Sequence, residues 1–253
     1  MTFDVSGDSY DRFMGRYSRE LSPVFADYAG VRAGQDVLDV GCGSGVLTVE
    51  LARRVGAEHV AGADPSDMLA AARERVPGAD LREGTAEALP WEDDSFDVAA
   101  SQLVLHFLDD PRAGTAEMSR VVRPGGTVAA CTWDIGGGMT FLDTFWDAMI
   151  AIVPEAPRER VPFKSEAELI DLWQGLEDVE TDAIDVEASY EDFDELWATF
   201  QLGVGPAGVY LKQLEPEQQD AVRDELHTRF GEPSGSFSVP ARAWAVRGRV
   251  PGG

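Results

Sequence analysis

The sequence predicts an α/β fold, a mostly parallel seven-stranded sheet covered by helices, and three observations support this prediction. Short apolar runs alternate with segments of helical spacing over residues 35–133, which is typical of a parallel sheet packed between helices. A glycine-rich turn at Gly41 separates the first apolar run from the first helical segment. Two later segments with the alternation of strands, 179–186 and 236–246, are expected to complete the sheet with an antiparallel edge strand.

The elements of the first half follow one another in regular alternation. The run Gln35–Val40 is predicted to be the first strand, and apolar residues recur at helical spacing over 46–52 after the turn. Further strands are predicted at 59–63, 79–83, 96–100 and 127–133, with helices at 66–75 and ending near 119–123. The segment Pro124-Gly125-Gly126 is expected to separate the last of these helices from the fifth strand.

Helical spacing dominates after residue 134. The helical segments are 141–152, 166–173, 190–202 and 216–230. Because the two late strands are expected to join the sheet, the helices between them have room to pack over its carboxyl edge. We therefore predict a helical cap over the C-terminal edge of the sheet. A single domain is expected, since no repeat or low-complexity linker interrupts the chain.

The composition argues against several classes of function. The 253 residues carry a formal net charge of -25, so repulsion from phosphates disfavours nucleic acid as a partner. No apolar stretch reaches the ~18 residues of a membrane helix, and the first residues do not resemble a signal peptide, so we expect a cytoplasmic protein without a membrane partner. The two cysteines, Cys42 and Cys131, lie far apart and indicate neither a disulfide framework nor a metal site.

The glycine turn and the acidic residue before it favour one class of ligand. Gly41, Gly43 and Gly45 allow backbone to approach a ligand at the end of a strand, where open α/β sheets bind ligands. A dinucleotide fingerprint requires its third glycine at the position of Val46, and Asp39 would repel a pyrophosphate. S-adenosylmethionine (SAM) has no phosphate and carries an ammonium and a sulfonium. Asp39 therefore favours SAM over a nicotinamide dinucleotide, which remains the disfavoured alternative.

A second acidic residue, Asp64, ends the second predicted strand. At this distance from the glycine turn a carboxylate can accept hydrogen bonds from both ribose hydroxyls. The structural alternative is that Asp64 caps the helix that begins near Ser66. Pro65 and Met68 are placed to form an apolar wall for adenine, although a methionine at helical spacing is commonly part of a core.

Five segments resemble, in order, the motifs of class I SAM-dependent methyltransferases, in the subgroup similar to ubiquinone/menaquinone-biosynthesis C-methyltransferases (methyltransferase type 11). They are Val37–Gly45, Ala63–Met68, Gly84–Trp91, Ser101–Phe107 and Arg120–Gly126. Five motifs in the correct order are more specific than any one of them. The resemblance implies a Rossmann-like methyltransferase sheet that binds SAM and releases S-adenosylhomocysteine, and it adds Cys42 and Ser101 to the cofactor-binding residues.

The adenine-side motif departs from the family at Thr85, where the family often has an aspartate that binds the adenine amino group. The Thr85 hydroxyl, the backbone near Ala86 or the Glu87 carboxylate is expected to take over this contact.

The segment 10–18 is similar to the openings of related bacterial enzymes, in which such a helix folds over the cofactor. The similarity implies that Arg16 pairs with the methionine carboxylate and that Tyr17 covers the sulfonium. A surface helix that packs its aromatic residues is the alternative. The expected division of the single domain 1–253 is an N-terminal helical cover at 1–34, a cofactor-binding core at 35–133, and cap helices with the last two strands at 134–253.

Methyl transfer from a sulfonium is an in-line displacement, so alignment and exclusion of water can supply much of the acceleration. If a base is needed, His106 is the candidate catalytic residue, because it follows the fourth strand at the open edge and histidine titrates near neutrality. A packing role is the alternative for this histidine.

Aromatic side chains of the predicted cap suggest a small, largely apolar acceptor, such as a secondary metabolite or a quinone-like molecule, methylated at oxygen or carbon. They are Trp133, Phe141, Phe145, Trp146, Trp173, Trp197, Phe200 and Tyr210. The alternative is that these rings form the core of the cap itself. A SAM-binding protein of the same fold with a non-methylating activity such as cyclisation stays open, as does a homodimer.

Overall fold

The computed structural model of the protein describes residues 13–158 and 166–252. The helices in these ranges are α1 (Gly15–Tyr28), α2 (Val46–Val55), α3 (Leu69–Arg75), α4 (Pro111–Val121), α5 (Thr140–Ile152), α6 (Glu166–Ile170), α7 (Phe193–Gln201), α8 (Gly205–Leu211) and α9 (Pro216–Arg229). The strands are β1 (Val37–Val40), β2 (Val60–Asp64), β3 (Asp80–Glu83), β4 (Phe96–Gln102), β5 (Val122–Trp133), β6 (Glu177–Tyr190) and β7 (Phe237–Arg249). Short 3-10 turns lie at Ala57–His59, Leu105–Phe107 and Asp171–Trp173.

The seven strands form one sheet in the order β3-β2-β1-β4-β5-β7-β6. β1 pairs in parallel with both β2 and β4, and β5 continues the parallel part. β7 runs antiparallel to β5 and lies one strand inside the edge, which β6 occupies. The predicted seven-stranded, mostly parallel sheet with an antiparallel strand near its edge is confirmed. Because the strand order reverses between β1 and β4, the carboxyl ends of these two strands are where an open α/β sheet binds ligands.

The central strands are buried because helices cover both faces. All four residues of β1 are buried, as are all five of β2. Leu38 and Val40 of β1 and Ala61 and Ala63 of β2 belong to a core that extends to Val246 on β7. Trp173 joins this core, and its Nε1 donates to the Val128 carbonyl at 3.2 Å. Trp173 is therefore part of the sheet core, and neither the predicted lining role nor the alternative of a core within the cap describes it.

Three elements differ clearly from the sequence prediction. β6 begins two residues before the predicted strand 179–186 and ends four residues after it, at the first residue of the predicted helix 190–202. β5 begins at Val122 and runs through the predicted break, because the backbone of Gly125 and Gly126 pairs with Val250, the residue after β7. The pairing of β4 with β5 shifts register within this stretch, so the glycines form an irregular part of a strand. α8 was not predicted, because the glycines and the proline at its start are typical turn residues.

The chain divides into two compact units. Among the described residues, the sheet unit comprises 18–133, 166–184 and 243–252, and the helical unit comprises 13–17, 134–158 and 185–242. The predicted partition into cover, core and cap stays a prediction. In the described part of the chain, no helix combines the length and the apolar character that crossing a membrane requires.

Stacked aromatic rings form the centre of the helical unit. The ring of Phe200 lies 4.0 Å from that of Phe145 and 4.4 Å from that of Phe141, measured between centroids, and both pairs are stacked. Phe13 meets Phe141 edge to face at 5.4 Å. These rings are buried, so α5 and α7 are joined by an aromatic core.

Candidate functional site

The glycine turn after β1 is closed on two sides and open on one. A Cβ on Gly41 would lie 2.4 Å from a methyl carbon of Val104, and a Cβ on Gly45 would lie 3.1 Å from the backbone of Ala72. At Gly43 the nearest atom to such a Cβ is Cε of Met68, 3.8 Å away. Gly41 and Gly45 are thus required by packing. Gly43 leaves space beside the backbone, so it marks the side of the turn that a ligand can approach.

The turn is fixed to the end of the neighbouring strand β2. The backbone N–H groups of Gly41 and Cys42 both donate to the Ala63 carbonyl, at 2.8 and 3.0 Å. The next N–H, that of Gly43, donates to Oδ2 of Asp64 at 2.8 Å. The structure therefore brings the glycine turn and Asp64 together, as the sequence predicts. The Cys42 side chain is buried in a small core under α3, so its backbone is the part that can face a ligand.

Asp64 is buried and already accepts several hydrogen bonds. Besides Gly43, the backbone N–H and the hydroxyl of Ser66 both donate to Oδ1. An ionised carboxylate has about four acceptor sites, so one remains for a ligand, and a second becomes available if the Ser66 hydroxyl turns away. The hydrogen bond from the Ser66 N–H to Asp64 is a local structural contact of the kind that the capping alternative describes. It is compatible with ribose binding, which stays a prediction.

Asp39 is a carboxylate buried in the sheet unit with 1% of its surface exposed. Its Oδ2 accepts a 2.6 Å hydrogen bond from the hydroxyl of Thr48 on α2. The pKa of Asp39 is raised to about 7: burial is the largest cause, the Thr48 hydrogen bond opposes it, and the nearby Asp64 carboxylate adds to it. Within the described ranges no cation pairs with Asp39. A buried carboxylate in this state favours a ligand that brings a positive charge.

The end of β4 supplies two further polar residues at the same edge of the sheet. Ser101, 1% exposed, donates from its hydroxyl to the Val40 carbonyl at 3.0 Å and so ties β4 to β1. Gln102 follows and donates from Nε2 to the Ser18 carbonyl at 3.2 Å. Its Oε1 is buried and has no hydrogen-bond partner among the described residues. The structure thus adds Gln102 to the predicted Ser101 as a candidate for contact with a ligand.

The predicted adenine-side residues follow β3. The N–H of Gly84 donates to the Asp64 carbonyl at 3.4 Å, and Thr85 forms an isolated bridge with Ala88. Ala86 is buried, Glu87 is half-buried and Thr85 is exposed. Pro65 is exposed and Met68 half-buried on the other side of Asp64. The hydrogen bond from Gly84 brings this segment to the end of β2, and the adenine contacts of its residues stay predictions.

His106 lies on the 3-10 turn after β4, and its Nδ1 is 3.2 Å from the hydroxyl oxygen of Thr132 on β5. The turn is set by Leu103, whose φ of 65° is in the left-handed region that non-glycine residues rarely adopt. Burial lowers the pKa of His106 to about 4, so its imidazole is neutral at pH 7. The catalytic role of His106 stays a prediction.

Arg16 and Tyr17 have partners within the helical unit. The Arg16 guanidinium donates to the Ser189 carbonyl at 2.7 Å and to Glu195 at 2.9 Å, and it lies 4.2 Å over the ring of Tyr190. The Tyr17 hydroxyl is 3.3 Å from that of Tyr190. These contacts support the packing alternative, and the predicted contacts of both residues with a cofactor stay predictions. The predicted segment before them, 10–12, lies outside the described residues.

Comparison with known sequences identifies the same part of the chain. Residues 38–130 match the family profile described as a methyltransferase domain. A demethylmenaquinone methyltransferase of Mycolicibacterium paratuberculosis is 36% identical over 130 residues, which cover 51% of this chain and 55% of that protein. An uncharacterised protein of Mycobacterium tuberculosis is 34% identical over 121 residues, 46% of this chain and 44% of its own. The chain thus spans about half the length of the curated relatives it matches.

The resemblance to class I SAM-dependent methyltransferases is confirmed. Solved structures share the methyltransferase fold over nearly the whole chain. A protein from Anaeromyxobacter dehalogenans is 24% identical with a TM-score of 0.66, covering 93% of this chain and 97% of its own. A SAM-dependent methyltransferase from Thermotoga maritima is 20% identical with a TM-score of 0.52, covering 96% and 98%. The [4+2]-cyclase SpnF is also 20% identical, with a TM-score of 0.58 and coverage of 93% and 82%. At these identities the comparison shows the fold alone.

Three residues of this methyltransferase-like site were missed by the sequence analysis. The hydroxyls of Thr48 and Ser66 donate hydrogen bonds to Asp39 and Asp64, respectively. Gln102 donates to a backbone carbonyl of α1. Ser66 and Gln102 lie inside motif segments, so a polar residue beside each predicted site residue was a usable signal. Thr48 had none, because threonine in the first turn of a helix has many structural roles.

Proposed function

We propose that this protein transfers the methyl group of SAM to a small, largely apolar molecule, at oxygen or carbon. The observation that carries the proposal is the pair of buried carboxylates, Asp39 and Asp64, beside the open side of Gly43. The methyltransferase domain match and the demethylmenaquinone methyltransferase relative support it.

The site's residues fit SAM better than a dinucleotide. Asp39 lacks a cation among the described residues, and SAM brings an ammonium group that can supply one. Asp64 retains capacity to accept from a ribose hydroxyl. Two buried carboxylates would repel a pyrophosphate, and Val46 occupies the position where a dinucleotide fingerprint has its third glycine.

The residues of this chain bind the cofactor and orient it. Gly43 lets the backbone approach the cofactor, Asp39 and Asp64 fix its two polar ends, and the segment around Ala86 is placed for its adenine. When bound, the cofactor supplies an activated methyl group on a good leaving group. Fixed alignment and exclusion of water are then the main contributions of the protein to the rate.

Transfer to a hydroxyl requires that its proton leaves. If Nδ1 of His106 carries the hydrogen and donates to Thr132, Nε2 is free to accept that proton. With a pKa of about 4, His106 is a weak base that is always in its accepting form at pH 7. Its contribution is therefore largest for an acidic acceptor such as a phenol.

A second candidate function is a non-methylating reaction such as cyclisation, and the likeness to the cyclase SpnF is the observation that favours it. The two candidates share the cofactor site and differ in the product. Mass spectrometry of the product, with one added methyl group or with none, separates them.

Calorimetric titration with SAM, S-adenosylhomocysteine and NAD tests the cofactor assignment. Wild type is expected to bind the first two and not NAD. Asp64→Ala should weaken S-adenosylhomocysteine roughly 30- to 150-fold, because charged hydrogen bonds to the ribose contribute about 2–3 kcal/mol. Asp67→Ala, which removes an exposed carboxylate three residues away, is the matched control. Binding of NAD without binding of S-adenosylhomocysteine would overturn the proposal.

A further inference from the structure

One buried donor in the helical unit has no partner. Trp146 is 1% exposed, and its Nε1 has no hydrogen-bond partner among the described residues. Trp173, exposed to the same extent, donates from Nε1 to the Val128 carbonyl. Buried indole N–H groups are normally satisfied, so the open donor of Trp146 is an exception that requires a cause.

A buried acceptor without a partner lies one turn away on the same helix. Oδ2 of Asp143 is buried and accepts from no group in the part of the chain that the structure describes. The guanidinium of Arg158 pairs with Asp147 and donates only to the backbone carbonyl of Asp143. Residues three apart in a helix share one face, with their Cβ atoms about 5–6 Å apart. Asp143 and Trp146 therefore present one acceptor and one donor side by side on α5 (Thr140–Ile152).

Their surroundings are mostly aromatic. Phe145 meets the Trp146 ring edge to face at 5.8 Å, and Tyr210 of α8 lies 6.3 Å from it. Phe145 in turn stacks on Phe200 of α7. An apolar setting with a few polar groups is the usual composition of a small-molecule site.

We infer that Trp146 and Asp143 recognise the hydroxyl group of a largely apolar ligand. A hydroxyl oxygen can accept from the indole Nε1–H and donate its own hydrogen to Oδ2 of Asp143. A ketone can only accept and an ammonium can only donate, so each would leave one of the two protein groups unsatisfied. This inference goes beyond the proposed function and concerns the helical unit by itself: the ligand class is phenols and alcohols with apolar bodies.

Paired probes test this inference without knowledge of the natural ligand. 2-Naphthol has the hydroxyl, and 2-methoxynaphthalene has the same body without the hydrogen to donate. Calorimetry on the whole protein with S-adenosylhomocysteine present should show that wild type binds 2-naphthol about tenfold more tightly than 2-methoxynaphthalene. Trp146→Phe keeps a buried ring but removes the N–H from which the oxygen of either probe accepts, so it should weaken both probes about tenfold and leave their ratio unchanged. Asp143→Ala removes the acceptor of the naphthol hydrogen, and it should reduce the preference for 2-naphthol to less than about twofold.

Trp173→Phe is the matched control, because it removes an indole N–H that is already satisfied. Both variants should lose thermal stability because the smaller ring leaves a cavity, but Trp173→Phe should keep the affinity for both probes, whereas Trp146→Phe should weaken both. Equal affinity of wild type for the two probes, no binding of either, unchanged affinity of Trp146→Phe for both probes, or an unchanged preference in Asp143→Ala overturns the inference. S-adenosylhomocysteine binding and methyl transfer are measured separately, so a failed cofactor assignment is distinguished from a failed hydroxyl site.

Discussion

Replacing Asp39 by asparagine separates the stability of the fold from binding at the site. The variant keeps an acceptor for the Thr48 hydroxyl and removes the buried charge. The pKa of the carboxyl is about 7 in the folded chain against an ordinary value of 3.8, a difference of about three units. At 1.36 kcal/mol per unit, the charged carboxylate lowers the free energy of unfolding by up to about 4 kcal/mol above pH 7.

The sign follows from proton binding. Between pH 3.8 and about 7 the folded state holds the Asp39 proton and the unfolded state releases it, so this group makes wild type less stable as the pH rises. The effect is complete above pH 7. The asparagine variant lacks this group, so its advantage over wild type should be small at pH 4, grow through pH 6 and reach its maximum near pH 8.

Urea unfolding of both proteins at four values from pH 4 to 8 measures this difference. Asp36→Asn is a control of opposite sign. Hydrogen bonding to His59 and pairing with Arg123 hold the pKa of the Asp36 carboxyl below its usual value, so that variant should be less stable than wild type at neutral pH and approach it in acid. If the curves for wild type and Asp39→Asn are parallel across the range, the buried carboxylate does not have the assigned pKa and the reasoning fails. If Asp39→Asn is more stable than wild type but no longer binds S-adenosylhomocysteine, the charged carboxylate is needed for binding although it lowers the stability of the fold.

Three further predictions concern single residues of the site. Ser66→Ala removes a competing donor, so calorimetry should show S-adenosylhomocysteine affinity equal to or above that of wild type; a tenfold loss contradicts this. His106→Gln should lower methyl transfer by about 10²-fold or more with cofactor affinity retained if the histidine takes a proton, and unchanged turnover excludes that role. Gly41→Ala should unfold the site region by collision with Val104, whereas Gly43→Ala should cost about 1 kcal/mol in urea unfolding through its positive φ and weaken the cofactor. Equal effects of the two alanines would contradict the assignment of the open side.

The sheet was predictable because its signals are local. The run 37–40 is apolar or buried throughout and ends at glycine, and this pattern defines a central strand without reference to the rest of the chain. β5 was predicted five residues too short because Pro124-Gly125-Gly126 is a turn signal that its partner overrides. That partner, Val250, is more than a hundred residues away along the chain, so no local sequence pattern indicates that it pairs with Gly125 and Gly126.

The helical unit was less predictable for a related reason. α8 begins with Gly205 and Pro206, and the prediction followed their local preference for a turn. A Cβ on Gly208 would lie 2.8 Å from Gly203, so glycine here serves close packing of the chain and not flexibility. At the site, Asp39 and Asp64 were predicted from their spacing to the turn, whereas Gln102 depends on its tertiary contact with α1.

Among the described residues of the sheet unit, the Asp39 carboxylate and Oε1 of Gln102 are buried polar groups without full satisfaction, and they share one chemical character. Most buried polar groups there are satisfied, such as Ser101 by the Val40 carbonyl and Trp173 by the Val128 carbonyl. Asp39 has a neutral partner in place of a cation, and Oε1 of Gln102 has none among the described residues. Both are acceptors at the ends of the two strands between which the strand order reverses. An edge with unsatisfied acceptors repels phosphate and favours ligands rich in donors and positive charge, so the polarity of the unmet groups itself favours SAM over a dinucleotide.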